Sequence, residues 1–204
     1  MTTLEYICNK HSVPDPSVRA VKLPIGREEL AALFGELGFT VGVEIGVERG
    51  GNSERLCKAN PRLRLHCVDA WTAYDGYRDH ANQGKLTRYA QEAAERLAPY
   101  NCNIIKAWST DAVKQFPDGS LDFCYIDGNH DFLHVSEDIT YWSDKVRKGG
   151  IVAGHDYVAF HSSIHCHVKQ VVDAWCCAFR VRPLFIVEKG DHSNPSASWF
   201  WVKE

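Results

Sequence analysis

The sequence has 204 residues, 45% of them hydrophobic, and a formal net charge of −3, which is the composition of one globular domain with a continuous core. Its mild acidity and lack of Lys/Arg runs give no support for a nucleic-acid partner, and no stretch approaches the ~20 apolar residues of a membrane span. Residues 1–10 lack the apolar segment of a signal peptide and the eight cysteines show no CxxC spacing. We therefore expect a cytoplasmic protein with reduced thiols and no membrane partner.

Residues 1–26 contain Pro14, Pro16 and Pro24 and are expected to form an irregular N-terminal arm, ahead of a single domain over residues 27–204. Within that domain the hydrophobic periodicity alternates between strand and helix. Helices are predicted at Arg27–Leu37, Asn52–Lys58, Asn82–Leu97, Asp111–Phe116, Leu133–Val146 and His167–Phe179. Strands are predicted at Val41–Ile45, Leu63–Val68, Asn103–Lys106, Leu121–Ile126 and Ile151–Ala153, the last after a turn at Lys148–Gly150.

Two β-rich segments, Val181–Val187 and Ser198–Val202, close the chain. Repeated strand–helix units predict a parallel sheet with helices on both faces. The two final strands have no room for a crossover helix between them and must form an antiparallel hairpin. The predicted fold is α/β: a doubly wound, mostly parallel seven-stranded sheet with a C-terminal antiparallel hairpin.

The first strand runs into a glycine-rich turn that begins Glu44-Ile45-Gly46 and leads into a helix. Glycines let the backbone approach a ligand, and the following helix N-terminus offers free N–H groups. The Gly-x-x-x-Gly-Gly spacing differs from that of a pyrophosphate-binding turn, and Glu44 suits a cationic ligand such as the sulfonium and amino group of S-adenosylmethionine. The alternative is a tight turn without a ligand. The candidate donor-binding residues here are Glu44, Gly46, Val47, Gly50, Asn52 and Ser53, of which Asn52 and Ser53 could cap the helix or bind a carboxylate.

The next two strand ends carry groups that suit a nucleoside. Asp69 can accept hydrogen bonds from both hydroxyls of a ribose, and Ala70 and Trp71 follow it. Trp108 offers an aromatic face, and Ser109 a hydroxyl, for an adenine ring. Taken singly, Asp69 could be a helix cap and Trp108 could be ordinary core packing, but three consecutive strand ends suited to one nucleoside favour a binding site.

From about Arg27 to its end, the chain resembles the class I S-adenosylmethionine-dependent methyltransferases, and more narrowly the group that contains macrocin O-methyltransferase and the cephalosporin-biosynthesis methyltransferases. The resemblance rests on the segments Val43–Gly46, Val68–Trp71, Tyr125–His130, Gly149–Tyr157 and Ser198–Trp201. It implies a Rossmann-like methyltransferase fold and transfer of a methyl group from S-adenosylmethionine.

Two further acidic strand ends predict a metal site. Neighbouring parallel strands would bring Asp127 and Asp156 together, and a divalent cation would hold both carboxylates ionised. His155 is a candidate third ligand. In the resembling families the matching carboxylates bind magnesium, so Mg²⁺ is expected, although an imidazole ligand favours Mn²⁺ or another transition metal. The alternative is that Asp156 caps a turn and His155 points to solvent.

His130 is the candidate general base and Asp127 acts beside it, because a histidine of ordinary pKa can take a hydroxyl proton near neutrality. The alternatives are that His130 caps the following helix or packs against Tyr157. A cluster of His161, His165, Cys166 and His167 is interpreted as a substrate-side loop rather than a metal site.

The sequence thus predicts a methyltransferase that acts on an oxygen of a small hydroxylated molecule, of the sugar or natural-product type, with help from a divalent cation. The acceptor is expected to lie under segments Thr72–Lys85, with Tyr74, Tyr77 and His80, and Tyr157–His167. Two other functions stay open: a nicotinamide-dependent oxidoreductase, and a non-haem metal oxygenase using His130, His155 and Asp156. Homo-oligomers also stay open, since the N-terminal arm could pack on a second copy.

Overall fold

A computed structural model describes residues 1–74, 82–158, 166–189 and 196–204. The helices are α1 (Thr3–Lys10), α2 (Arg27–Glu36), α3 (Gly51–Ala59), α4 (Gln83–Leu97), α5 (Ser109–Ala112), α6 (Phe132–Lys145) and α7 (Val168–Ala178), with a 3₁₀ turn at Val113–Gln115. The strands are β1 (Ala20–Leu23), β2 (Val41–Ile45), β3 (Arg64–Asp69), β4 (Cys102–Lys106), β5 (Leu121–Ile126), β6 (Val146–Gly154), β7 (Leu184–Val187) and β8 (Ser198–Val202).

The strands form a single sheet in the order β1-β7-β8-β6-β5-β2-β3-β4. Every neighbouring pair is parallel except for the two pairs that β8 makes, with β6 and with β7. The predicted α/β class, the mostly parallel sheet and the terminal antiparallel hairpin are therefore confirmed. The predicted strand count of seven is wrong, because the described residues form eight.

Alternation along β5 shows how the sheet is covered on both faces. Phe123 and Tyr125 pack with residues of α2, α3 and α4, whereas Cys124 and Ile126 pack with residues of α6 and α7. Side chains of successive strand residues point to opposite faces, so an apolar run such as β5 supplies two cores at once. The sheet is thus buried on both sides, and its functional groups are left to the strand ends.

The eighth strand comes from the segment that was predicted to be an irregular arm. Residues 1–26 contain α1, which begins with a capping box between Thr2 and Glu5, and β1, which pairs in parallel with β7. The prediction was wrong because β1 has only four residues and its partner lies more than 150 positions away along the chain. No local pattern signals such a pairing.

The turn predicted at Lys148–Gly150 is also wrong, because these residues lie within β6, which begins at Val146. The strand accommodates them by a shift of register against β5, between Leu121 and Phe123. Gly149 has φ of +73°, a left-handed conformation that a glycine adopts without strain.

All eight cysteines are free thiols in this structure. Within the described ranges, no helix combines the length and the hydropathy that crossing a bilayer requires.

The close packing of β2 against β5 gives a test of the fold. A Cβ at Gly42 would lie 2.2 Å from Cζ of Phe123, whose ring is itself packed against Phe34 with centroids 4.4 Å apart. We expect Gly42→Ala to lower the free energy of unfolding by about 1–3 kcal/mol, because the buried ring has little room to move. Urea denaturation followed by circular dichroism measures the effect.

Gly51→Ala is the matched control, because a Cβ there would meet no atom within 4 Å. The control should change the free energy of unfolding by no more than about 0.5 kcal/mol. Equal stability of the two variants would show that Gly42 is not a tightly packed position.

Candidate active site

The carboxyl ends of β2, β3, β4, β5 and β6 border one cleft of about 1050 Å³. Ligands of open α/β sheets bind at this edge. The cleft is lined by most of the residues predicted from the sequence: Glu44, Gly46, Val47, Asn52, Asp69, Ala70, Trp71, Trp108, Ser109, Asp127, His130 and Asp156. Three others, Gly50, Ser53 and His155, are buried outside this lining.

Gly46 sits where the end of β2 passes the end of β5. Its φ is +86°, and a Cβ on it would lie 2.1 Å from the backbone oxygen of Asp127. Both the dihedral and the contact exclude any side chain at this position. Gly46 therefore allows the segment that carries Glu44 to run directly beside the segment that carries Asp127.

Glu44 is 1% exposed and forms the back of the cleft. Its carboxylate accepts hydrogen bonds from Asn52 Nδ2, at 2.9 Å, and from Ser53 Oγ. Burial raises the pKa of Glu44 to about 8; these hydrogen bonds and the charge of Arg27 oppose the shift, and the charge of Asp127 adds to it. Asn52 and Ser53 thus bind a carboxylate of the protein itself, and neither caps α3, whose N-cap is Gly50.

Asp69, at the end of β3, forms hydrogen bonds that hold the glycine-rich turn after β2 in place. Its Oδ2 accepts the Glu48 N–H at 2.9 Å, and its Oδ1 accepts the Trp71 N–H at 2.8 Å. Trp71 is buried, and its Nε1 donates to the backbone oxygen of Glu48 at 2.8 Å. Asp69 is therefore no helix cap, and its carboxylate lines the cleft.

Aromatic rings border the cleft at the end of β4. Trp108 is 43% exposed, so the alternative that it is core packing is wrong. The Tyr74 ring, predicted to cover the acceptor, meets Trp108 edge-on with centroids 5.4 Å apart, and the His134 ring centroid lies 6.0 Å from that of Tyr74. Asn129 Nδ2 donates to the Tyr74 hydroxyl. These rings offer faces and edges to a planar ligand.

Asp138 on α6 is a cleft residue that the sequence analysis missed. It is 4% exposed and accepts a hydrogen bond from Ser109 Oγ, which in turn accepts one from Trp142 Nε1 at 2.7 Å. Burial raises the pKa of Asp138 to about 7, against the lowering effect of the Ser109 hydrogen bond. The available signal was its position: an acid three residues after Val135 and four before Trp142 lies on the apolar stripe of the helix.

Three side chains form a metal-ligand set where β5 and β6 end. Asp127, His130 and Asp156 each present one ligand atom, and these atoms all lie within 4.8 Å of one another. His130 Nε2 is 3.0 Å from Asp156 Oδ2 and 3.9 Å from Asp127 Oδ1. The predicted proximity of the two carboxylates is present in the structure, and the third member of the set is His130.

His155 was predicted to be the third ligand, and this stays a prediction. Its ring is 1% exposed, and its Nδ1 lies 3.1 Å from Asp156 Oδ2 and 3.9 Å from Asp127 Oδ1, nearly the distances at which His130 Nε2 meets the same two atoms. The alternative that His155 points to solvent is wrong. Asp156 has φ of +56°, an uncommon conformation for a residue other than glycine, and such strain is often found at functional sites.

His130 differs from the ordinary histidine on which its predicted role as a base relied. Burial lowers its pKa, but hydrogen bonds and charges from Asp127 and Asp156 outweigh that effect and raise the pKa to about 11. The two carboxylates therefore hold His130 in its protonated form at neutral pH. It does not cap α6 either, because the N-cap is Asp131.

Parts of the predicted acceptor-binding segments fall outside the described residues, namely Tyr77, His80, His161 and His165. The ends of the second segment are described. Cys166 is buried with Sγ 3.4 Å from the backbone oxygen of Asp156, and the His167 N–H donates to the backbone oxygen of His130 at 2.8 Å. The chain after β6 thus returns to the metal-ligand set.

Comparison with solved structures shows where this fold has been seen before. An O-methyltransferase of tomaymycin synthesis from Streptomyces achromogenes, TomG, solved in complex with SAM, is 17% identical, with a TM-score of 0.65 over 99% of this chain and 90% of its own. An O-methyltransferase from Bacillus cereus in complex with SAH is 15% identical, with a TM-score of 0.61 over 98% and 90%. At these identities the likeness establishes the fold alone.

Comparison at the sequence level identifies the family. No curated protein matches the chain. The sequence profile of a family described as a methyltransferase domain matches residues 43–157, which is more than half of the chain and includes every strand end that borders the cleft. The match leaves the nicotinamide-dependent oxidoreductase and the non-haem oxygenase without support. The chain belongs to the methyltransferase-domain family, as its resemblance to class I methyltransferases predicted.

Proposed function

We propose that this methyltransferase takes a methyl group from S-adenosylmethionine and transfers it to an oxygen of a small hydroxylated molecule, beside a divalent cation. One observation carries the proposal: a single cleft brings the buried Glu44 and Asp69 of one end together with the Asp127, His130 and Asp156 set of the other. A nucleoside with a cationic tail suits the first end, and an oxyanion-forming acceptor suits the second.

The donor end is supported by charge and shape. Glu44 is a buried carboxyl whose ionised form a positive ligand would stabilise, and Asp69 lines the same cleft with a carboxylate, the group that accepts hydrogen bonds from ribose hydroxyls. Trp108 and Tyr74 supply aromatic surface where a base would lie. The Streptomyces and Bacillus enzymes with the same fold are described in complex with SAM and SAH.

The metal-ligand set is suited to a divalent cation. Two carboxylates and one imidazole supply oxygen and nitrogen donors from three part-buried residues, and their ligand atoms are close enough to share one ion. A cation bound there would supply Lewis-acid chemistry, polarising an acceptor hydroxyl and lowering its pKa. His155, buried against Asp156, would act as a positioning residue for that carboxylate.

Methyl transfer demands little covalent work from the protein, so the residues act mainly by position. Asp127 lies where the two ends of the cleft meet. Its backbone N–H donates to the Ile45 oxygen of β2, and its side chain is one of the three members of the metal-ligand set. His130 can accept a proton from the acceptor only when the two carboxylates no longer hold it charged. Its predicted role as a base therefore requires that a cation neutralise Asp127 and Asp156, and that the proton go to a ring nitrogen that does not bind this cation.

We propose that the acceptor is a small molecule of the sugar or natural-product type, and not a nucleic acid. Phe132 and Leu133, which begin α6 two and three residues after His130, are 57% and 62% exposed. Exposed apolar side chains so near His130 in the chain suit an acceptor with a hydroxylated ring. The direct test incubates the protein with radiolabelled S-adenosylmethionine, Mg²⁺ or Mn²⁺, and panels of catechols, glycosides and amines; label transfer to amines alone would contradict O-methylation.

The metal-ligand set can be tested with Mn²⁺ alone. Asp156→Ala removes one of two carboxylates, so we expect Mn²⁺ affinity to fall at least about tenfold. Binding of S-adenosylhomocysteine should stay within about twofold, because Asp156 lies at the other end of the cleft from Glu44 and Asp69. Isothermal titration calorimetry measures both.

Asp111→Ala is the matched control, since this carboxylate is exposed and pairs with Lys114 outside the cleft. It should leave Mn²⁺ affinity unchanged. If Asp156→Ala binds Mn²⁺ as tightly as the wild type does, the metal-ligand set is assigned incorrectly.

The raised pKa of Glu44 predicts how the affinity for S-adenosylmethionine depends on pH. The free carboxyl has a pKa of about 8, and a cationic ligand stabilises the ionised form, so binding releases a proton below that pH. Affinity for S-adenosylmethionine should therefore rise from about pH 6 to about pH 8, by at most about tenfold per pH unit. Calorimetry in buffers of different ionisation enthalpy would detect the released proton directly.

Glu44→Gln keeps the size of the side chain and removes the titration. The variant should bind S-adenosylmethionine more weakly at pH 8 and lose the part of the pH dependence that belongs to Glu44. Any pH dependence that remains in the variant comes from other titrating groups of the cleft, such as Asp138. Identical pH profiles for wild type and variant would rule out ionised Glu44 as the donor's counter-charge.

A further inference from the structure

A chain of three polar groups, Trp142, Ser109 and Asp138, forms the inner wall of the cleft at the end of β4. Trp142 and Asp138 lie on α6, which places them one turn apart, and Ser109 begins α5. Asp138 and Ser109 both line the cleft, while the Trp142 side chain is fully buried. Among the described residues, none of these three groups forms a hydrogen bond with Asp127, His130 or Asp156. We therefore consider them as part of the donor end of the cleft.

The direction of each hydrogen bond in the chain is set by chemistry. An indole Nε1 can only donate, so Ser109 Oγ accepts from Trp142. A serine hydroxyl has a single proton, and Ser109 donates it to Asp138 Oδ1. Ser109 Oγ has two lone pairs: one accepts the hydrogen bond from Trp142, and the other can accept a hydrogen bond from a ligand. Ser109 can therefore offer an incoming ligand only an acceptor.

The surroundings of this acceptor suit a flat, aromatic ligand. The rings of Trp108, Tyr74 and His134 stand around the same end of the cleft, with neighbouring centroids 5.4 and 6.0 Å apart. All three residues line the cleft together with Ser109. A base held among these rings would place its polar edge against the wall.

We propose that Asp138, acting through Ser109, makes the donor site specific for a 6-amino purine. This inference rests on the proposed function, in which S-adenosylmethionine is the donor. The exocyclic amino group of adenine donates a hydrogen bond to the lone pair of Ser109. A 6-oxo purine presents an oxygen there instead, and two acceptors would face each other in a partly buried wall.

The roles of the two residues differ. Ser109 touches the base, whereas Asp138 is a positioning residue that holds the Ser109 proton away from the cleft. When Asp138 is replaced by an apolar residue of similar size, the Ser109 proton has no partner in the wall and can turn to the ligand. The site would then accept a 6-oxo purine as readily as a 6-amino purine. Sites that form a hydrogen bond with one polar group of a ligand discriminate strongly against analogues that lack this group, because the wrong ligand leaves a buried group of the protein unpaired.

The experiment compares S-adenosylhomocysteine with S-inosylhomocysteine, which differ only at position 6 of the base. Calorimetry gives both dissociation constants for the wild type, Asp138→Leu, Ser109→Ala and the double variant, at a pH near 8.5 so that Asp138 is ionised. The wild type should bind the adenine compound at least about tenfold more tightly. In each of the three variants the ratio should fall to within about twofold of one.

Asp144→Leu is the matched control, because it removes an exposed carboxylate from the same helix. It should keep the wild-type ratio. The ratio of two affinities does not move when a variant merely lowers stability, and Ser109→Ala keeps the inference testable if Asp138→Leu fails to fold.

Three results would overturn the inference while leaving the donor assignment intact: a wild-type ratio near one, an unchanged ratio in Asp138→Leu, or an effect of Asp138→Leu that persists when Ser109 is already alanine. The last would show that Asp138 does not act through Ser109. Failure of the wild type to bind S-adenosylhomocysteine at all would instead overturn the proposed function, and this inference with it.

Discussion

The close passage of β2 beside β5 is the constraint on which the cleft depends. Gly46 runs so near the Asp127 backbone that a Cβ would lie 2.1 Å from its oxygen, and the Asp127 N–H donates to the Ile45 oxygen at 2.8 Å. This contact joins the two ends of the cleft. Without it Glu44 and Asp127 would belong to separate surfaces, and a donor bound at one would not reach an acceptor held at the other.

The cleft concentrates acidic groups that are costly to bury without partners. Glu44 and Asp138 both have raised pKa values, and each is held by hydroxyl or amide donors from neighbouring elements. Asp127 and Asp156 meet two histidines instead, His130 and His155. Burial of this kind is a stability cost that positive ligands relieve, so the arrangement favours a cationic donor and a cation over anionic ligands. The same argument explains why a phosphate-bearing dinucleotide suits the site poorly.

Sequence patterns predicted the parts of the structure that rest on local periodicity and on one topological rule. Strand β5 was predicted with its observed bounds, and parallel strands bring their carboxyl ends to one edge, which was enough to place Glu44, Asp69 and Asp127 in one cleft. The eighth strand was missed because β1 gains its stability from pairing with β7, far along the chain. Asp138 was missed because the periodicity that predicts its helix does not show that its carboxylate would meet Ser109 after β4.

The placement of His130 and His155 shows what spacing alone does not determine. His155 directly precedes one expected ligand, whereas His130 lies three residues after the other. His155 continues directly from β6, with its N–H donating to Ile126 and its backbone oxygen accepting from Trp199, and its buried ring lies behind the two carboxylates, with Nδ1 3.1 Å from Asp156 Oδ2 and 3.9 Å from Asp127 Oδ1. His130 lies in the loop between β5 and α6, where its ring reaches Asp156 across the strand ends. Residues locked into the sheet support a site from behind, whereas residues in the loops that follow the strands supply the atoms that face its ligands.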